Sequence, residues 1–177
     1  MLRPPYLLCA FWLLCPVTAV AQQPPAVRSF EQLRTTVPRV ASDSGLQLRV
    51  RWRTEAPVAD PTETNSQFDL VSLQAVDVPV RPERAPQISS ATLVLVGVDD
   101  AGQELDWRVM RDPRIVRSEL NSDYTLKSEK LYYVDISFMV VLPDTPALTS
   151  LRLYSVRSRN GQLVAVALGT LAVRRAK

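Results

Sequence analysis

The sequence predicts an all-β domain. Three observations predict it: segments of strict apolar/polar alternation, turn-forming clusters between them at short spacing, and no long amphipathic helix. The chain opens, however, on a segment of another kind. Arg3 supplies a charged start, residues 7–14 a short apolar run, and Pro16 breaks that run ahead of Ala19-Val20-Ala21, the small-x-small pattern at which signal peptidases cut. Residues 1–21 are therefore read as a cleaved signal peptide that leaves Gln22 as the new terminus. The run is interrupted by Pro16 and Thr18 before it reaches the roughly 20 apolar residues that a membrane-spanning anchor takes. Acylation at Cys9 or Cys15 is the competing reading, disfavoured by the bulky Leu8 and Leu14 that precede them.

Residues 22–45 form a polar lead-in with scattered prolines, in which Ser29-Phe30-Glu31-Gln32 has the spacing of a capping box. That spacing predicts a turn or two of helix with Phe30, Leu33 and Val37 on one side. A single domain over 46–177 follows. In its first strand Leu46, Leu48, Val50 and Trp52 alternate with Gln47, Arg49, Arg51 and Arg53. Residues 68–78 are β-rich and close at Pro79, and 91–98 are almost wholly apolar and β-branched. Asp99-Asp100-Ala101-Gly102 reverses the chain into 104–110, where period two puts Leu105, Trp107 and Val109 on one face. A shorter strand is expected at 115–119 and a long one at 131–142, with Val134, Ile136, Phe138 and Val140 opposite Tyr133, Asp135, Ser137 and Met139. Residues 151–157 and 162–173 are joined through Asn160-Gly161, the strongest hairpin signal in the chain. Residues 56–67 and 79–90 read as long proline-bearing loops.

This pattern predicts an antiparallel immunoglobulin-like β-sandwich of about seven to nine strands, with 91–98 and 163–173 as central strands. The resemblance to that architecture is one of strand number and alternation, and it implies no particular function. An outer-membrane barrel would need alternation in nearly every strand and girdles of aromatics, whereas several runs are apolar throughout and aromatics make up 7%.

Loss of residues 1–21 removes both cysteines, and the chain has no histidine, so disulfides, thiol nucleophiles and imidazole catalysis are excluded from the remainder. Without Arg3 the formal charge falls from +3 to +2, too little for the global field of a nucleic-acid binder. The cations are nearly all arginine, with Lys127, Lys130 and Lys177 as the lysines. No Gly-x-Ser-x-Gly, Ser-x-x-Lys, phosphate loop or dinucleotide fingerprint occurs.

Arg49, Arg51 and Arg53 are the sharpest positive feature, because period two sets them on one face about 7 Å apart. Such a row grips polyanions, or it serves as a solvated outer face that discourages edge pairing. The segment around Trp107, with Arg111, Arg114 and Arg117 beyond it, is the candidate contact loop, although Trp107 also suits a core and Asp112-Pro113 a turn. Asp99, Asp100, Glu104 and Asp106 match no calcium-loop spacing.

The expected function is that of an exported, periplasmic or secreted binding, accessory or scaffold module without catalytic activity, cofactor or metal, whose partner is a protein or an envelope polyanion and not nucleic acid. The alternatives are a carboxylate-dependent hydrolase of envelope glycans, which needs two converging acids, and a polyanion binder that uses the arginine row.

Overall fold

The computed structural model describes residues 27–55, 66–122 and 125–175, and the signal-peptide reading, with Cys9 and Cys15, lies outside them. The fold is all-β apart from one short helix, and its strands pair antiparallel. Ten strands occur among the described residues: β1 (Val27–Ser29), β2 (Gly45–Thr54), β3 (Ser66–Val76), β4 (Thr92–Val98), β5 (Glu104–Arg111), β6 (Ile115–Ser122), β7 (Thr125–Tyr132), β8 (Asp135–Pro143), β9 (Ser150–Arg159) and β10 (Gln162–Ala172). The helix, α1 (Phe30–Thr36), follows β1 directly.

The larger sheet has the order β1-β10-β9-β4-β5 and the smaller β3-β2-β8, while β6 and β7 form a separate two-stranded ribbon. Alternation in β2 produces what it predicts. Leu46, Leu48, Val50 and Trp52 are buried, and Arg49, Arg51 and Arg53 are exposed. The buried set meets Phe138 and Leu142 of β8, together with Leu93 and Leu95 of β4 and Leu151 and Leu153 of β9, so one apolar layer joins the two sheets. Fully burying a leucine or valine is worth about 1.5–3 kcal/mol, which makes this layer the main source of stability.

A second core lies on the other face of the larger sheet. Val94, Val96 and Val98 of β4, Trp107 of β5 and Tyr154 and Val156 of β9 are packed there with Leu33 and Val37. Burial on both faces explains why β4 is apolar throughout rather than alternating. The cover comes from the segment read as a polar lead-in. Val27 to Ser29 pair with Val166 to Val164, and the Ser29 hydroxyl then accepts from the Gln32 amide while the Gln32 side chain accepts from the Ser29 amide. This capping box fixes where α1 begins, so that Phe30, Leu33 and Val37 face the sheet as their spacing predicts.

Two local expectations are corrected. Residues 131–142 are not one strand: β7 ends at Tyr132, the chain bends, and β8 starts at Asp135. The bend is held by the Tyr133 amide on the Arg114 carbonyl and the Thr54 amide on the Val134 carbonyl. Nor do Leu105, Trp107 and Val109 share a face. A register shift in the β4–β5 pairing sets Gly97 against Asp106 but Val98 against Glu104, which leaves Leu105 as the extra residue and turns it toward the inter-sheet core. Trp107 and Val109 stay with the second core.

The turns follow their residues. Asn160 and Gly161 both have positive φ, 51° and 76°, and close a two-residue hairpin between Arg159 and Gln162. At the β4–β5 turn the Asp99 carboxylate accepts the Gln103 amide at 2.7 Å, and Gly102 takes φ 83°. No helix among the described residues is long and apolar enough to cross a membrane.

Candidate functional site

The outer face of the smaller sheet carries the arginine row, but not as three bare cations. Arg51 reaches across to Asp135 of β8 with two hydrogen bonds, Nε to Oδ1 at 2.9 Å and Nη2 to Oδ2 at 2.6 Å. Arg53 pairs with Asp69 of β3 at 2.6 Å. The hydrogen bond from Arg51 and its charge hold the Asp135 carboxyl below the usual carboxylate range and raise the Arg51 guanidinium in turn. Only Arg49 of the three lacks an acidic partner among the described residues, and its cross-strand neighbours are Met139 and Ser72.

Beyond β5 the expected contact residues divide. Arg111 is exposed at the end of β5 and lines an open groove of about 760 Å³ with Glu83, Gln87 and Met110. Arg114 is buried to 1% exposure, so its guanidinium is not a surface cation. Its guanidinium lies 3.6 Å from the centre of the Trp52 ring and forks onto Asp112, with Nη2 to Oδ2 at 2.8 Å and Nε to Oδ1 at 3.2 Å. The Arg114 amide also donates to Asp112 Oδ1, which closes the turn that Asp112-Pro113 signalled. Arg117 lies on β6, and its side chain is outside the described residues.

The buried carboxylates are committed to arginines. Asp106 accepts from Arg108 Nε at 2.6 Å and from the Val40 amide at 2.8 Å, while Arg108 donates onward to the carbonyls of Arg81 and Val40. This clamp ties the 37–44 and 77–91 connections to the edge strand β5. Burial raises the Asp106 carboxyl above its ordinary value, against the opposing pull of the Val40 amide and Arg108. On the α1 side of the larger sheet, Glu104 accepts from Arg28 at 2.5 Å and from Arg152 at 3.2 Å, and Arg28 also donates to the Thr36 hydroxyl at 3.0 Å. Burial, with the Glu104 charge, pushes the neighbouring Tyr154 phenol up. Among the described residues, no group of three or more metal-ligating side chains gathers.

Another set of residues converges without any sequence signal to mark it. Arg34 from the last turn of α1, Arg39 from the chain after it and Arg84 from the 77–91 connection line a cavity of about 400 Å³, with Ala85, Pro86, Ile88 and Trp107 as its apolar walls. The Arg39 guanidinium lies 4.7 Å from the centre of the Trp107 ring and donates to the Glu83 carbonyl. Burial, then the Arg108 charge, lowers the Arg39 guanidinium from its ordinary value; Asp106 and Glu83 counteract and Arg34 reinforces this. Trp107 Nε1 and Arg39 Nε are buried donors without a hydrogen-bond partner. Arg34 and Arg39 are five residues apart but Arg84 lies 45 further on, so only the packing of α1 and the 77–91 connection onto β5 brings the three together. Comparison of the chain with protein-family models, with curated proteins and with solved structures finds no match in any of the three.

Proposed function

We propose that this chain is an exported binding module, an immunoglobulin-like β-sandwich freed of residues 1–21, whose recognition surface is the arginine-rich side built by α1, the 77–91 connection and β5. The observation that carries this reading is the division of charge. The buried carboxylates Asp106 and Asp112 and the partly buried Glu104 are held by arginines, whereas Arg34, Arg84 and Arg111 have no acidic partner among the described residues. Carboxylates engaged in this way are poor general acids or bases, and the cations left over are suited to holding a ligand. The hydrolase alternative is less well supported. The 760 Å³ groove holds Glu83 as its one carboxylate and the 400 Å³ cavity none, whereas glycoside cleavage takes a pair.

Export is tested by mass spectrometry of the chain expressed from its first methionine in a Gram-negative host. The expected product begins at Gln22 and is recovered from the periplasm or medium. Retention of residues 1–21 in the cytoplasm overturns the exported reading, and a lipid on Cys15 moves the domain from free in the compartment to tethered at a membrane.

A further inference from the structure

We propose that the cavity lined by Arg34, Arg39, Arg84 and Trp107 is a binding site for a dianionic phosphoryl group, either free phosphate or a small phosphomonoester. This deepens the binding-module reading and rests on its choice of surface, not on export. At about 400 Å³ the cavity falls in the size range of small-ligand sites.

Three features specify the ligand's chemistry. First, charge: three guanidiniums line the cavity and no carboxylate does, and neither Arg34 nor Arg84 has an acidic partner among the described residues. A monoanion would leave more of that charge unbalanced than a dianion does. Second, unmet donors: Trp107 is 1% exposed, it lines the cavity, and its indole N–H has no acceptor, as is also true of Arg39 Nε. Buried donors are ordinarily paired, so these two mark a wall short of acceptors, and both must gain exposure before a phosphoryl oxygen can meet them. Third, preorganisation: stacking on Trp107 and donation to the Glu83 carbonyl fix the Arg39 fork before any ligand enters. Phosphoryl oxygens accept several charge-assisted hydrogen bonds at once, the pattern such forks match.

The apolar walls limit what the phosphate can carry. Pro86, Ala85 and Ile88 offer contact area but no hydrogen-bonding side chain, so recognition centres on the phosphoryl group.

The test is calorimetric titration of the purified protein with inorganic phosphate and, separately, with glucose 1-phosphate, at about 150 mM salt, where loose surface attraction is screened beyond about 8 Å. Saturable one-site binding of at least one of the two is expected, with glucose giving no heat. Tighter binding of the ester identifies a phosphorylated small molecule as the ligand, and equal or tighter binding of phosphate identifies the free ion. Arg34→Gln and Arg84→Gln alter side chains that are exposed and outside the core, so melting temperature and circular dichroism should not change. Each should weaken binding by about tenfold or more, the loss expected for a hydrogen bond to a charged group. Arg49→Gln, on the smaller sheet, should leave affinity unaltered.

Absence of binding by either probe overturns the proposal. So does binding that both cavity variants leave intact, binding that Arg49→Gln weakens equally, or citrate bound as tightly as the phosphate probes. A chain that is exported and processed at Gln22 yet fails this titration would lose the phosphoryl site alone, so the two readings fail separately.

Discussion

A guanidinium with 1% exposure must replace its water with something, and Arg114 does so with the Trp52 face on one side and the Asp112 fork on another. Truncation of Arg114 to Ala would leave the Asp112 carboxylate buried without its cation and the Trp52 ring uncovered. Loss of one partner from such a pair costs about 3–5 kcal/mol, and the urea midpoint of Arg114→Ala should fall accordingly. A midpoint within error of the parent would show that the pair contributes nothing. Arg51 and Asp135 form the contrasting case, since their contact is exposed. The Asp135 carboxyl is held below its ordinary value, so its contribution to stability is present above the ordinary Asp range, near about 3.9, and is lost as pH falls through the lowered folded value. Arg51→Gln should therefore lower stability slightly at neutral pH and not at all in strong acid. By carboxyl NMR, Asp135 should titrate at higher pH in the variant, and an unmoved titration would deny Arg51 its role. Alternation showed where the row would point but not that Asp69 and Asp135 stand beside it, because cross-strand neighbours depend on register. Arg114 reads from sequence as a contact residue after a turn, and its burial was not legible because it depends on Trp52, which lies far away in the chain.

At the scale of elements, what the sequence revealed depended on length and on how many faces were buried. β2, with one buried and one solvated face over ten residues, was readable residue by residue, and so was the Asn160-Gly161 hairpin, whose two positive φ values require such residues. The capping box was legible because its two reciprocal bonds are local. β1 was not, because three residues, Val27 to Ser29, cannot display a period and their pairing partner lies at the other end of the chain. β7 was missed for another reason. Thr125 to Tyr132 reads Thr-Leu-Lys-Ser-Glu-Lys-Leu-Tyr, charged in its middle, and it pairs only with β6 rather than with either larger sheet. Such a strand needs no regular apolar side. The Leu105 bulge defeated period two in a third way, because one extra residue reverses every assignment N-terminal to it while leaving the composition of β5 unchanged.

For the molecule as a whole, the consequential feature is that the larger sheet is buried on both faces although the smaller sheet covers only one. The second cover is thin: α1 and Val37, tethered to the sheet through its edge strand β1, together with Ile88 from the 77–91 connection. Leu33 and Val37 are each almost wholly buried, and at about 1.5–3 kcal/mol apiece they supply a sizeable part of the roughly 5–15 kcal/mol that a domain of this kind has in total. Removing this cover would also strip Arg28 from Glu104 and expose Val94, Val96, Trp107 and Tyr154 to water. The same elements supply Arg34 and shape the cavity, so the cover that stabilises the sheet also builds its candidate ligand surface. A chain truncated to begin at Pro38 is therefore expected to bind a hydrophobic dye, to lose the near-ultraviolet signal of its packed aromatics and to unfold in urea without a sharp transition. Circular dichroism in the far ultraviolet should still show strand, because the inter-sheet layer around Leu48, Val50, Leu95 and Leu153 is left in place. If the truncated chain instead melted as sharply and at the same denaturant concentration as the parent, α1 would be an appendage, and the architecture would reduce to two sheets and one core.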